Sequence, residues 1–193
     1  MLFVNRTKFI PNISKLQSDV LPQIKQALGP LLFATSLGKR KGNVINNGSF
    51  AYVNTHQMNL LVTCYHVWND FLAAREKNPE LKLCGCFDDK TPVPFCTLPN
   101  GTANKPIDQD KRMDIATFDM KPFENYISDK HFFSPNHLPQ SLVNVNDPVA
   151  IIGCPSEERK DLGHTVQWGR KPYIGFVSQI LDFRIKVDFS KLM

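Results

Sequence analysis

Gly48-Ser49-Phe50-Ala51-Tyr52-Val53, then Asn54-Thr55-His56-Gln57-Met58, then Asn59-Leu60-Leu61-Val62-Thr63-Cys64-Tyr65-His66: how this run is read decides the fold. Residues 49–53 and 59–63 are rich in aromatic, β-branched and aliphatic side chains, and a polar stretch separates them. Two such runs around a polar turn read as a β-hairpin. The second strand leads to His66 just past its end, where residues 65–77 read as a helix with Val67, Phe71 and Ala74 one turn apart. A general base needs that placement, with rigid backing and an imidazole emerging at a cleft. A histidine after a strand is also ordinary structure, so His66 gains meaning only with a partner.

Working upstream, residues 19–28 read as a short helix. Asp19 caps it, Pro22 falls in its first turn, and Val20, Ile24 and Ala27/Leu28 share a face before Gly29-Pro30 stops it. Residues 31–37 are a plausible strand, followed by a basic loop, Lys39-Arg40-Lys41 between Gly38 and Gly42. Asn46-Asn47-Gly48 is a turn signal. Downstream, strands are expected at 81–87 and 93–98, then a polar loop over 100–112 and a strand over 114–120. The Pro- and His-rich stretch 132–140 is irregular and suits a join between two lobes, and 149–153, 173–180 and 183–188 are late strands. Many short strands with few helices point to an all-β barrel or sandwich.

The whole-chain numbers fit one ordinary domain or two small lobes. The chain has 193 residues, 42% of them hydrophobic, with 14 phenylalanines, which is enough for a real core and excludes wholesale disorder. A net charge of +5 is spread along the chain, so no basic face argues for nucleic acid. No run approaches a membrane span. The five cysteines are an odd count behind a start, Met1-Leu2-Phe3-Val4, too short for a secretory signal core. Reduced thiols in a cytoplasmic setting are therefore expected, and the Asn-x-Ser/Thr sites at Asn5, Asn12, Asn47 and Asn100 carry no meaning there.

The partner for His66 is Asp114. In Arg112-Met113-Asp114-Ile115-Ala116-Thr117-Phe118 a carboxylate opens an apolar strand after a polar loop. A buried acid beside an imidazole fixes its tautomer and stabilises the imidazolium formed in acyl transfer. Asp108, Asp110 and Asp119 compete, but only Asp114 joins a polar loop to a sustained apolar run. A surface aspartate at a strand start is the plainer alternative.

Taken in order, these segments resemble the trypsin-like, chymotrypsin-fold serine peptidases, HtrA-like bacterial members included. The hairpin ending in Val62-Thr63-Cys64-Tyr65-His66 is similar to their T-A-A-H motif, although Cys64-Tyr65 departs from the alanines. Asp114-Ile115-Ala116 is similar to D-I-A, Val149-Ala150-Ile151-Ile152-Gly153-Cys154-Pro155 to V-x-x-I-G-x-P, and Gly175-Phe176-Val177-Ser178 to G-x-V-S. The resemblance implies a double β-barrel. Residues 1–30 would be an N-terminal extension with a short helix, 31–140 a first barrel carrying His66 and Asp114, and 141–193 an incomplete second barrel. It also implies peptide-bond hydrolysis of a polypeptide substrate by Ser-His-Asp acyl transfer, with no cofactor.

The nucleophile breaks the pattern. The family takes its serine and oxyanion amides from a G-x-S-G-G turn, and this sequence contains none. Ser190 lacks flanking glycines, Ser156 follows Cys154-Pro155 in another loop, Ser178 lies within a strand, and Cys154 occupies the variable position of I-G-x-P. Each reads as structural, so no nucleophile is assigned and the chain reads as cut short and inactive. Cys84-Gly85-Cys86 with Cys96 invites a zinc test, but C-x-C on a strand suits two buried thiols equally well and no second ligand pair exists, so no metal is expected. His131, His137 and His164 fall in polar loops. The rival readings are a non-catalytic barrel that binds a peptide or partner protein along an open edge strand, and an unrelated β-domain binding RNA or a membrane surface. An incomplete second barrel would also favour self-association through its exposed edge.

Overall fold

The computed structural model describes residues 18–19, 22, 27–35, 44–86, 92–97, 103–127, 132–133, 144–153, 159–161, 166–168, 171–181 and 184–188. Most of these are antiparallel β-structure. Strands β1 (Leu28–Ala34), β2 (Val44–Asn54), β3 (Asn59–Thr63), β4 (Lys82–Cys86), β5 (Pro92–Pro94), β6 (Asp108–Asp110) and β7 (Ile115–Asp119) form one seven-stranded sheet in the order β5-β4-β1-β2-β3-β7-β6. Strands β8 (Pro148–Gly153), β11 (Lys171–Leu181) and β12 (Arg184–Asp188) form a three-stranded sheet in the order β12-β11-β8. Between β8 and β11 the short β9 (Arg159–Asp161) and β10 (Val166–Trp168) pair with each other. No described helix is long and apolar enough to cross a membrane.

The β2–β3 hairpin forms where its alternation places it, with Phe50 opposite Thr63 and Asn54 opposite Asn59. Its turn is held by side chains as much as by backbone. Asn54 Nδ2 donates to Asn59 Oδ1 at 2.7 Å, and Asn54 Oδ1 accepts the His56 N–H at 2.8 Å. Phe50 and Tyr52, two residues apart on the pleat, are buried with ring centroids 5.0 Å apart. The helix α1 spans Tyr65–Lys77 and buries Val67, Trp68 and Phe71.

The sheet is strongly rolled. Phe95 follows the edge strand β5, and Phe118 lies in β7, five strands along. A flat sheet would hold them about 24 Å apart at about 4.8 Å per strand. Their ring centroids instead lie 4.6 Å apart, edge to face. The concave interior takes Leu31, Phe33, Phe50, Tyr52, Leu61, Leu83, Phe95, Ala116 and Phe118. Helix α1 lies against it, with Phe71 against Phe33 of β1 and Trp68 against Phe118 of β7. Among the described residues no ladder joins β5 to β6.

Several expectations are corrected. Leu28, Gly29 and Pro30 belong to β1 rather than to the end of a helix, and the strand stops at Ala34. Most of the anticipated helix over 19–28 lies outside the described residues. Proline is tolerated in β1 because β4 pairs only with Leu31–Ala34, so Pro30 faces β2 alone. Asn46-Asn47-Gly48 is not a turn but the middle of β2, opposite Phe33, Leu32 and Leu31. Gly48 serves close approach: a Cβ there would lie 2.7 Å from Val67 Cγ1 on α1. The polar loop over 100–112 contains strand β6. Within the irregular stretch 132–140, Phe132 and Phe133 dock on β2, where the Asn54 N–H donates to the Phe133 carbonyl at 2.7 Å. The sequence also gave no sign of the 3-10 helix Lys121–Tyr126, whose first N–H is capped by Asp119 Oδ1 at 2.9 Å. The late strands match expectation closely, as do α1 and the hairpin.

Candidate active site

Strands β3 and β7 are neighbours in the sheet, with Thr63 opposite Ala116. Because they run antiparallel, the segment leaving β3 and the segment entering β7 emerge at the same end. His66 lies just past one and Asp114 just before the other. Thr63 anchors this end, its buried hydroxyl donating to the Ser49 carbonyl at 2.8 Å. Cys64 then takes an extended conformation (φ −72°, ψ 140°) as the N-cap of α1.

Asp114 is presented by a tight hairpin. Asp110 is opposite Ile115, so residues 111–114 form the loop between β6 and β7. Asp110 Oδ1 accepts the N–H groups of Arg112 at 2.7 Å and Met113 at 2.9 Å, which sets the turn. Asp114 closes it in the left-handed region at φ 55°. Aspartate and asparagine tolerate that conformation better than most side chains. A backbone outlier whose side chain is engaged elsewhere is the usual mark of a constrained site.

The first N–H groups of a helix have no partner within it. Cys64 makes no side-chain cap, and Asp114 fills the gap from the β6–β7 loop. Its carbonyl accepts the Tyr65 N–H at 3.1 Å, and its Oδ1 accepts the His66 N–H at 2.9 Å. The other carboxylate oxygen, Oδ2, lies 2.7 Å from His66 Nδ1. One carboxylate thus holds both the backbone and the ring of the same histidine. The His66 N–H, above all, keeps the Asp114 carboxyl below the usual carboxylate range; the imidazole and the Cys64 thiol act the same way, against partial desolvation. With the carboxylate ionised, Nδ1 carries the proton and Nε2 the lone pair. Among the described residues nothing hydrogen-bonds Nε2. The pair is open to solvent, with side-chain exposures of 62% for His66 and 46% for Asp114. The sequence predicts a buried acid; Asp114 is instead half exposed, at the end of a loop whose Lys111, Arg112 and Met113 are exposed as well.

Cys64 is the member that sequence reasoning missed as a site residue. In the sequence it reads only as a departure from the alanine of the T-A-A-H pattern. Cys64 is exposed, yet partial desolvation pushes its thiol up, and the charge of Asp114 and a hydrogen bond to that carboxylate add to the effect. The donor atoms of Cys64, His66 and Asp114 all lie within 4.8 Å of one another, a set able to hold a metal ion.

Among the described residues, the other candidates do not join this cluster. Cys84 and Cys96 are buried in the core, and the side chain of Cys86 lies outside the description. Asp108 Oδ1 accepts the neighbouring Gln109 N–H, while Asp110 and Asp119 shape turns. Ser178 lies exposed within β11. Ser156, Ser190, Cys154, His131, His137, His164 and Lys39-Arg40-Lys41 fall outside the described residues.

No protein-family model matches the chain, and no curated protein matches it significantly.

Proposed function

We propose that the chain carries the base and orienting acid of a trypsin-like serine endopeptidase, with His66 as general base and Asp114 as the group that fixes its tautomer. The observation that carries this reading is the 2.7 Å contact from His66 Nδ1 to a carboxylate already fixed by the His66 N–H. In this reading the rolled seven-stranded sheet is the first barrel of a chymotrypsin-like pair, and β8 to β12 belong to the second. Nε2 takes a proton from a serine hydroxyl as that oxygen attacks a peptide carbonyl, and later returns it to the leaving amine. Asp114 stabilises the imidazolium in between. The substrate is a polypeptide, and no cofactor takes part.

These 193 residues contain no G-x-S-G-G turn, so the chain by itself is proposed to be inactive. Without a nucleophile and oxyanion amides, His66 has only water to activate. The test is a fluorophosphonate probe with a casein substrate. Labelling that appears only when the chain is extended through a G-x-S-G-G segment, and that His66→Ala abolishes, supports the reading. Stoichiometric labelling of the 193 residues alone would point to a non-standard serine, Ser190 first.

One observation favours a second reading. Asp114 also caps α1, so the pair has a structural use with no chemistry at all, as in a non-catalytic barrel that binds a peptide or partner protein. An extended chain that stays unlabelled while remaining folded decides for it.

A further inference from the structure

We propose that Cys64, His66 and Asp114 form a binding site for a borderline-soft divalent cation of the Zn2+ type, with one coordination position left open. The three donors are a thiol sulfur, an imidazole nitrogen and a carboxylate oxygen, and their ligand atoms lie within 4.8 Å of one another. Zn–S bonds of about 2.3 Å and Zn–N or Zn–O bonds of about 2.0–2.1 Å place tetrahedral donors about 3.3–3.6 Å apart. The site therefore needs the outlying donors to close by about an ångström, and the His66–Asp114 contact to open from 2.7 Å to about 3.3 Å. Side-chain torsions supply both movements.

The backbone is already arranged for it. Cys64 and His66 flank Tyr65 at the start of α1, and Asp114 is clamped to that turn through the Tyr65 and His66 N–H groups. Little backbone ordering remains to oppose binding. Oδ1 keeps the His66 N–H while Oδ2 turns to the cation, so the carboxylate is oriented by a second hydrogen bond as metal ligands usually are. His66 is well exposed, which gives the ion an entry path and leaves water or a substrate group the fourth position. A mixed sulfur, nitrogen and oxygen set favours zinc or cobalt over magnesium or calcium. On binding, the thiol proton leaves to solvent, the sulfur binds as thiolate, and the imidazole proton moves to the nitrogen not bound to metal. The His66–Asp114 hydrogen bond is lost, so a bound cation takes the imidazole away from its acid. The binding step itself stands apart from the peptidase reading.

Cobalt(II) is the probe, added to the reduced, chelator-treated 193-residue chain under anaerobic conditions. Stoichiometric binding with a sulfur-to-cobalt charge-transfer band is expected, reversed by Zn2+. Cys64→Ser and His66→Ala should each weaken binding at least about tenfold, and Cys84→Ala should leave it unchanged. A band that survives Cys64→Ser, binding without a sulfur band, or no binding overturns the proposal. A second measurement needs no variant: Zn2+ should protect Cys64 of the unaltered chain from iodoacetamide, mapped by mass spectrometry. An unchanged alkylation rate at Cys64 overturns it equally.

Discussion

His66 is bound twice by Asp114, its backbone N–H at 2.9 Å to Oδ1 and its ring Nδ1 at 2.7 Å to Oδ2. The carboxylate is at once an N-terminal cap for α1 and the orienting group for the imidazole, and substitutions separate the two jobs. Asp114→Ala removes both and also puts an alanine at φ 55°, so it should lower stability by at least about 1 kcal/mol, the usual loss for a missing cap. Asp114→Asn keeps an acceptor for the His66 N–H and should lose less. Its amide has no full charge to fix the ring tautomer, so 15N spectra should show the Nδ1–H form of His66 depleted while thermal unfolding changes little. Equal destabilisation by both variants would show that the cap is not carried by Oδ1.

The same contacts predict an acid response. Asp114 has its folded pKa lowered from 3.8, first by the His66 N–H. A depressed carboxylate contributes stability that is fully present above its unfolded pKa and is lost as pH falls through the folded value. The chain should therefore lose stability below about pH 4 more steeply than Asp114→Asn, as measured by urea unfolding across pH. Parallel curves would remove this carboxylate from the acid transition.

Cys64 shifts the other way, its thiol raised from 9.0 by partial desolvation and then by Asp114. The folded state thus holds the thiol proton more tightly, a contribution present below the unfolded pKa and lost as pH rises through the folded one. In metal-free buffer, alkylation of Cys64 should be slow at neutral pH, and its pH profile should lie above that of a model thiol. Asp114→Asn should bring the profile down by removing the charge. A profile below the model thiol in the unaltered chain would contradict the geometry.

Gly48 tests why a turn signal sits inside a strand. An added Cβ meets Val67 Cγ1 at 2.7 Å and Cγ2 at 2.8 Å, and a valine in a helix has little rotamer freedom to yield. Gly48→Ala should cost about 1–3 kcal/mol as overpacking. Val67→Ala in the same chain should recover part of that loss, which chemical denaturation of the double variant measures. Additive losses would place the conflict elsewhere.

What the sequence made legible was local. The 59–63 strand and the 65–77 helix follow from their periodicities, and both lie where expected because packing reinforces them: Leu61 and Phe71 enter one core. Glycine and proline misled, since each signals more than one geometry. Gly48 makes room for a helix and Pro30 sits on a half-free stretch of strand, and neither purpose can be read without knowing the neighbour. Strand β6, Asp-Gln-Asp with all three residues exposed, has no apolar alternation, and its state comes from pairing with β7. Cys64 joined the site through a contact with Asp114 that only the register of β3 against β7 creates.

Trp68 joins the two halves of the site from below. It follows His66 on α1, and its ring packs edge to face on Phe118, which follows Asp114 on β7, at 5.2 Å between centroids. Trp68 is buried, packs on Phe71 within the helix at 5.5 Å and on Phe118 of the sheet, so its truncation removes an aromatic contact between helix and sheet. Trp68→Ala should cost about 3–5 kcal/mol and loosen α1 at its N-terminal turn, where His66 lies. Trp68→Phe keeps an aromatic face and should keep most of the stability. The distinctive readout is the His66 Nδ1–H proton resonance, which solvent exchange erases when the hydrogen bond to Asp114 is no longer held. It should persist in Trp68→Phe and vanish in a still-folded Trp68→Ala chain, whose far-ultraviolet spectrum reports the remaining sheet. If the resonance survives Trp68→Ala, the pair is held by its own two hydrogen bonds and needs no packing beneath it.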